Sequence, residues 1–152
     1  MSIIGDISNN IAVLVDKLTE YDTDLEKAEI FFQMENKKLE ELCRKHPQAL
    51  SFYDRKSSEL KTIEDLIQSK VKEIESTHWK RYNEKYSRVL STADIKAYIA
   101  GEKDYIQMYE VLLEVINIRR QYEAVVDALK QMGWTLNNIV KLRVAQLELV
   151  EL

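Results

Sequence analysis

The sequence has little of the residues that bend a chain. Only three glycines and one proline occur among 152 residues. Glycine-rich phosphate loops and the GxSxG turn of serine hydrolases both need closely spaced glycines, whereas Gly5, Gly101 and Gly133 stand far apart. The sequence therefore excludes these nucleotide-binding and hydrolase motifs, and it predicts long helices joined by few turns.

Cysteine and histidine are scarce as well. Cys43 is the only cysteine, which excludes an intrachain disulfide and a CxxC metal site, and its place on an apolar helical pattern predicts a core residue. His46 and His78 stand apart, and neither belongs to a recognised metal-ligand pattern. Because no catalytic constellation is found, we expect a protein that is not an enzyme and that uses neither a cofactor nor a metal.

Long apolar runs are also missing. No stretch approaches the roughly 20 consecutive apolar residues that cross a bilayer. The N-terminus lacks the basic and apolar segments of a secretory signal. We therefore expect a cytoplasmic protein without membrane association.

Charge is abundant and unevenly distributed. The net charge of -4 argues against binding to nucleic acid. However, residues 1–36 hold 2 basic and 8 acidic side chains, residues 37–88 hold 13 and 9, and residues 89–152 hold 7 and 9. An acidic arm thus precedes a basic middle, and the total hides this local excess of cations.

Apolar residues recur at helical spacing along the chain and predict an all-α fold. A short first helix is expected after Asp6. A capping box at Thr23 predicts the start of a second helix, and Pro47 predicts its end because proline disfavours helical geometry in the preceding residue. A third helix is expected from Gln48 to about Leu90.

The C-terminal part is predicted to contain further helices. A second capping box at residues 91–94 restarts the helix, and Gly101 predicts a break. Gly133 is expected to end the next helix and Thr135 to cap the last one, which gives a C-terminal helical hairpin. We expect long helices in an extended or coiled-coil arrangement, with residues 1–90 as an N-terminal long-helix region that contains the basic stretch and residues 91–152 as a C-terminal helical region.

The C-terminal region carries more apolar residues than one helix face can hold. Residues 105–132 contain a heptad pattern typical of a coiled-coil seam, with further apolar residues outside it. We therefore expect this region to bind other copies of the chain. The candidate oligomerisation residues are Tyr105, Met108, Leu112, Val115, Tyr122, Val126, Leu129, Trp134, Leu136, Ile139, Val140 and Leu147.

Residues 70–88 interleave cations with aromatic side chains, and six basic residues face three acidic ones. Binding a single strand of nucleic acid needs positive charge along the phosphates and flat side chains on which bases stack. The candidate DNA-binding residues are Lys70, Lys72, Trp79, Lys80, Arg81, Tyr82, Lys85, Tyr86 and Arg88. The alternative is that the aromatic residues pack in the core while the cations form an ordinary solvated face.

A series of short motifs runs from residue 81 to residue 143. They are Arg81-Tyr82, Val89-Leu90-Ser91 with Asp94 and Tyr98, Asp104, a long apolar helix ending near Leu129, Gly133-Trp134, Asn138-Ile139 and Arg143. In this order and spacing they resemble the UvsY family of phage recombination mediators. The chain departs from the family at residues 77–80, where a glycine-containing loop is usual, and at Met132 and Asn137, where basic residues are usual.

The resemblance implies an accessory factor of homologous recombination and repair. Such a factor binds single-stranded DNA and helps a RecA-like recombinase replace the single-strand-binding protein. The resemblance also implies a ring-like homo-oligomer assembled largely through the C-terminal region, in the host cytoplasm if the chain is phage-encoded. A ring would repeat one modest basic patch and so raise avidity despite the acidic total. The alternative is a structural coiled-coil adaptor or scaffold that binds no nucleic acid.

Overall fold

The structure, a computed structural model, describes the backbone of residues 11–86 and 88–150 and the side chains of these residues up to 146. The described residues form four helices and no strand, which confirms the all-α prediction. The helices are α1 (Ala12–Phe32), α2 (Leu39–Lys85), α3 (Thr92–Ala100) and α4 (Lys103–Val150). Within them, no stretch has the length and apolar character needed to cross a bilayer. The predicted helix start after Asp6 and the side chain of Leu147 lie outside the described residues.

The chain divides into two compact units. The first unit contains Met1–Leu14 and Leu60–Asn117, and the second contains Val15–Glu59 and Ile118–Leu152. Each unit takes segments from α1, α2 and α4, whereas α3 belongs to the first unit alone. The predicted division at residue 90, into a DNA-binding region and an oligomerisation region, concerns function and stays a prediction.

The predicted capping box at Thr23 is wrong. Thr23 lies inside α1, where its hydroxyl donates a hydrogen bond to the Thr19 carbonyl at 3.1 Å. The interruption falls instead at residues 33–38, where Asn36 has a φ of 61°. Asparagine tolerates this left-handed conformation better than most residues, so Asn36 suits the turn that connects α1 to α2.

The helix end predicted at Pro47 is also wrong, because Pro47 lies inside α2. A proline removes one helical hydrogen bond, and the burial of Leu42 before it and Tyr53 after it offsets that loss. Cys43, predicted to fill the core, is exposed. Consecutive side chains of a helix point in different directions, and here the side chain of Leu42 points into the core.

The start and end of α3 follow the sequence prediction. The Ser91 hydroxyl accepts a hydrogen bond from the Asp94 amide at 3.1 Å, and the Asp94 carboxylate accepts one from the Ser91 amide at 3.3 Å. At the other end, the Gly101 amide donates to the Tyr98 carbonyl at 3.1 Å. The capping box and the break at Gly101 are therefore confirmed.

The break predicted at Gly133 is absent, because α4 continues through it and the described residues form no C-terminal hairpin. Thr135 is not a cap, since its hydroxyl donates to the Gln131 carbonyl at 3.1 Å within the helix. Gly133 has a different role: an added Cβ would lie 2.9 Å from Cε1 of His46. The His46 ring is fixed there because its Nε2 donates to the Leu129 carbonyl at 2.6 Å. Gly133 therefore leaves room for the His46 ring, and the helix continues through it.

The core of the second unit contains three tyrosines, Tyr21, Tyr53 and Tyr122, which we call the buried tyrosine triad. The Tyr122 ring lies 5.6 Å from the Tyr21 ring and 5.9 Å from the Tyr53 ring, measured between centroids. The Tyr122 hydroxyl donates to the Tyr21 carbonyl and the Tyr53 hydroxyl to the Asp24 carbonyl, each at 2.7 Å, while the Tyr21 hydroxyl donates to Glu59. Burial raises the pKa of all three hydroxyls, which therefore remain protonated donors.

Most of the candidate oligomerisation residues are covered by the chain itself. Trp134 and Val140 are exposed, at 67% and 37%, while Tyr105, Met108 and Ile139 are half-buried. The heptad pattern therefore describes an internal stripe of α4, and surplus apolar surface remains only in part of the predicted set. The buried members of that set are Leu112, Val115, Tyr122, Val126, Leu129 and Leu136.

Candidate nucleic-acid interface

The basic segment is shorter as a helix than its sequence predicts. Helix α2 ends at Lys85 instead of near Leu90, so Arg88 lies in the connection to α3. Lys80, Lys85 and Arg88 are exposed. Lys72, about two helical turns before Lys80, is exposed as well. The segment therefore presents cations from both a helix and a loop.

Two of the predicted stacking residues pack inside the first unit. Tyr82 is buried with Leu90, Ile95 and Ile99 in one apolar cluster, and Trp79 packs against it half-buried. The cluster joins the end of α2 to α3 and fixes the connection between them. For Tyr82 and Trp79, core packing is the structural role.

Tyr86 differs from these two because it is 49% exposed. It lies beside Tyr82, at 5.5 Å between ring centroids, and beside Tyr98 of α3, at 6.4 Å. The Tyr98 ring is 44% exposed and stacks on Tyr82 at 5.4 Å, with 22° between the ring planes. We call Tyr82, Tyr86 and Tyr98 the open tyrosine triad.

Glu102 connects this triad to the cations. Its Oε1 accepts hydrogen bonds from Arg81 Nη2 and from the Tyr82 hydroxyl, and it lies 3.9 Å from His78 Nδ1. The hydrogen bond from Tyr82 and then the charge of Arg81 hold the pKa of Glu102 below its usual range. The same bond raises the pKa of Tyr82. One carboxylate thus orders both an exposed cation and a buried ring.

His78, Glu102 and Asp104 are the described residues that could hold a metal ion, because their ligand atoms lie within 4.8 Å of one another. His78 Nε2 donates to Asp104 Oδ1 at 2.7 Å, and the Tyr105 amide donates to the same oxygen at 2.8 Å. The bond from His78 lowers the pKa of Asp104. Since both carboxylates already accept hydrogen bonds from the protein, we interpret the cluster as a hydrogen-bonded network within the chain and not as a metal site.

Three of the remaining candidate residues line recesses in the first unit. Lys70 is half-buried in a recess that Asp104 and Met108 also line. Trp79 and Lys80 line a second, shallow recess. Arg81 and Tyr86 contact Tyr82 directly, and Trp79 packs against the apolar cluster that contains Tyr82.

The sequence prediction assigned no binding role to Tyr98 and did not single out Glu102. Both follow the basic segment in sequence, and the turn from α2 to α3 brings Tyr98 back onto Tyr82. The capping box at Ser91 was the available signal, because it places a new helix soon after the basic segment, with Ile95 and Ile99 on one buried face.

No protein-family model matches the sequence, and searches of curated proteins and of solved structures return no match.

Proposed function

We propose that this chain is a non-enzymatic recombination mediator that binds single-stranded DNA through residues 70–88. It acts by helping a RecA-like recombinase replace the single-strand-binding protein, in the cytoplasm and as a ring-like homo-oligomer. The observation that carries the proposal is the exposure of Lys80, Lys85 and Arg88 on the same short segment that exposes Tyr86. The motif resemblance supplies the recombinase and the single-strand-binding protein as partners.

The cations supply the affinity in this proposal. Each lysine or arginine that contacts a phosphate releases condensed counterions, so the affinity falls as salt rises. Arg81 is partly neutralised by Glu102, and a phosphate would compete with that carboxylate for the guanidinium. We therefore assign the main phosphate contacts to the three exposed cations and a secondary one to Arg81.

Fluorescence anisotropy with a labelled oligothymidine at several salt concentrations tests this proposal. Replacing Lys80, Lys85 and Arg88 together with glutamine should weaken binding and reduce the salt slope by about three, because each lost phosphate contact removes about one. The matched control replaces three exposed cations of the second unit with glutamine. These are Lys38, Arg44 and Arg55.

The control variant should bind like the wild type. Absence of binding by the wild-type protein at low salt would refute the proposal, as would equal losses in the two triple variants. Equal losses would mean that net charge, and not this surface, attracts the DNA.

The mediator step needs its own assay. In a strand-exchange reaction, a RecA-like recombinase acts on single strands coated with a single-strand-binding protein, and the chain should shorten the lag before product forms. With the Lys80, Lys85 and Arg88 triple variant, the lag should be as long as it is without the protein. An unshortened lag with the wild type would leave a DNA-binding protein that is not a mediator.

Self-association is proposed for the exposed apolar side chains of α4. Trp134, Val140, Leu142 and Val144 are exposed, and they belong to the second unit. Isolated apolar side chains are common on protein surfaces, but Val140 and Val144 stand four residues apart and therefore share one face of α4. Val140→Asp with Val144→Asp should reduce the mass measured by light scattering, and Val15→Asp, at another exposed apolar residue, should not. An unchanged mass in the double variant would place assembly elsewhere.

The same exposed residues favour a second candidate function, a structural adaptor that binds another protein. Under this alternative the triple glutamine variant changes no activity, because DNA never binds. A wild-type chain that binds no oligonucleotide yet loses self-association with the Val140 and Val144 substitutions would favour the adaptor.

A further inference from the structure

We infer that Tyr86 and Tyr98 form a stacking platform for unpaired nucleobases, an inference that rests on the proposed binding of single-stranded DNA. Tyr86 follows the end of α2, and Tyr98 lies in α3. Their rings are nearly parallel, with 21° between the planes. The two rings therefore share one orientation, and both residues are about half exposed to solvent.

Contacts within the chain hold the two platform rings in place. Tyr82 is buried, donates a hydrogen bond to Glu102, and stacks on Tyr98. The capping box at Ser91 fixes the first turn of the helix that carries Tyr98. A surface that is ordered before binding loses less conformational entropy when a ligand stacks on it.

The charged side chains near the platform favour a flat ligand that carries phosphates. Arg81 lies over the Tyr82 ring at 4.9 Å from its centroid, and Lys85, Arg88 and Lys96 are exposed on the segments that carry the two tyrosines. Of the nearby acids, Glu102 is engaged by Arg81. The charge complements the phosphates that flank a base.

Asp94 and Glu84 are the other acids of these segments. Hydrogen bonds from Ser91 hold the pKa of Asp94 low, and Arg88 lowers it further. Asp94 therefore stays ionised in the cap of α3. With all three acids of residues 81–102 counted, the four cations Arg81, Lys85, Arg88 and Lys96 still exceed them by one.

A stacking platform gives a preference that phosphate contacts alone do not. Only an unpaired base offers both faces to a side chain, so the platform selects single strands over duplex without reading the sequence. Tyr98 is thereby assigned as a binding residue that the basic segment itself does not contain.

The test compares two ligands with the same phosphates: an oligothymidine of about 15 nucleotides and an abasic oligomer of equal length. Tyr98→Leu should weaken binding to oligothymidine by about tenfold, the effect of losing one stacked base, and should leave the affinity for the abasic oligomer unchanged. Tyr98→Phe should retain wild-type affinity, because stacking needs the ring and not the hydroxyl. Tyr109→Leu is the matched control, since Tyr109 is a similarly exposed tyrosine of α4.

Several outcomes would overturn the platform and leave the proposed function standing. One is an equal loss of affinity for both oligomers, which would show that Tyr98 acts by positioning cations. Another is unchanged oligothymidine binding in both Tyr98→Leu and Tyr86→Leu. If Tyr98→Leu lowers the helical content by circular dichroism, Tyr86→Leu decides, because Tyr86 lies outside the helices. Failure of the wild type to bind either oligomer would instead refute the proposed function itself.

Discussion

Each unit of the protein contains three neighbouring tyrosines, and the two groups differ in what surrounds them. In the second unit, Tyr122 is fully buried and its hydroxyl is satisfied by a backbone carbonyl. In the first unit, Tyr82 alone is buried, and Tyr86 and Tyr98 face solvent beside exposed cations. The same residue type at similar ring distances therefore serves two purposes.

The difference teaches that aromatic content by itself does not mark a binding site. A tyrosine whose ring and hydroxyl are both satisfied within the chain stabilises the fold. A ring that remains half-exposed on a rigid support leaves its face available for a ligand. Which of the two applies depends on the segments that return to cover the ring, and these are set by the fold.

The largest expected effect separates the triads by stability. Tyr122→Ala removes a fully buried ring and should lower the free energy of unfolding by about 3–5 kcal/mol. Tyr98→Ala should cost about 1 kcal/mol or less, because much of its ring is in water. Urea unfolding followed by circular dichroism measures both. Similar costs for the two variants would erase the distinction between a buried and an open triad.

The next effect tests how tightly the second unit is packed. Gly133→Ala places a Cβ against the His46 ring, an overpacking cost of about 1–3 kcal/mol that the better helix propensity of alanine offsets by about 1 kcal/mol. We expect a net loss of about 1 kcal/mol. In a His46→Ala background the same substitution should stabilise the protein, so a double-mutant cycle gives a coupling energy. Additive effects would show that His46 does not lie against Gly133.

The smallest expected effect concerns the support of the open triad. The folded-state pKa of Glu102 is lowered, so its contribution to stability is present above the ordinary glutamate pKa and is lost as the pH falls through the lowered value. The wild type should therefore lose more stability on acidification than Glu102→Gln does. Thermal unfolding from about pH 6 to pH 3 measures the difference. Parallel pH profiles would mean that the bonds to Arg81 and Tyr82 add no stability.

The sequence predicted those parts of the fold that depend on a few neighbouring residues. The capping box of α3 and the break at Gly101 are local geometry, set by side-chain and backbone bonds across four residues. Pro47 and Gly133 were read by the same local rules and gave wrong helix ends. In both places contacts distant in sequence decide the outcome, as the approach of His46 to Gly133 illustrates.

The candidate site was predictable in composition and not in arrangement. Charge and aromatic content drew attention to residues 70–88, and exposure of Tyr86 agrees with an outward role. Burial of Tyr82 and the arrival of Tyr98 depend on how the chain returns through α3, which residue spacing within α2 does not encode. The pairing of Arg81 with Glu102 likewise joins residues from separate segments.

Fluorine NMR of protein labelled with 3-fluorotyrosine would compare the two triads in one experiment. The chain has eight tyrosines, and Tyr→Phe variants assign their resonances. On addition of oligothymidine, the resonances of Tyr86 and Tyr98 should shift while those of Tyr21, Tyr53 and Tyr122 stay in place. Unmoved Tyr86 and Tyr98 signals at saturating oligonucleotide, or shifts confined to the buried triad, would contradict a DNA-binding surface in the first unit.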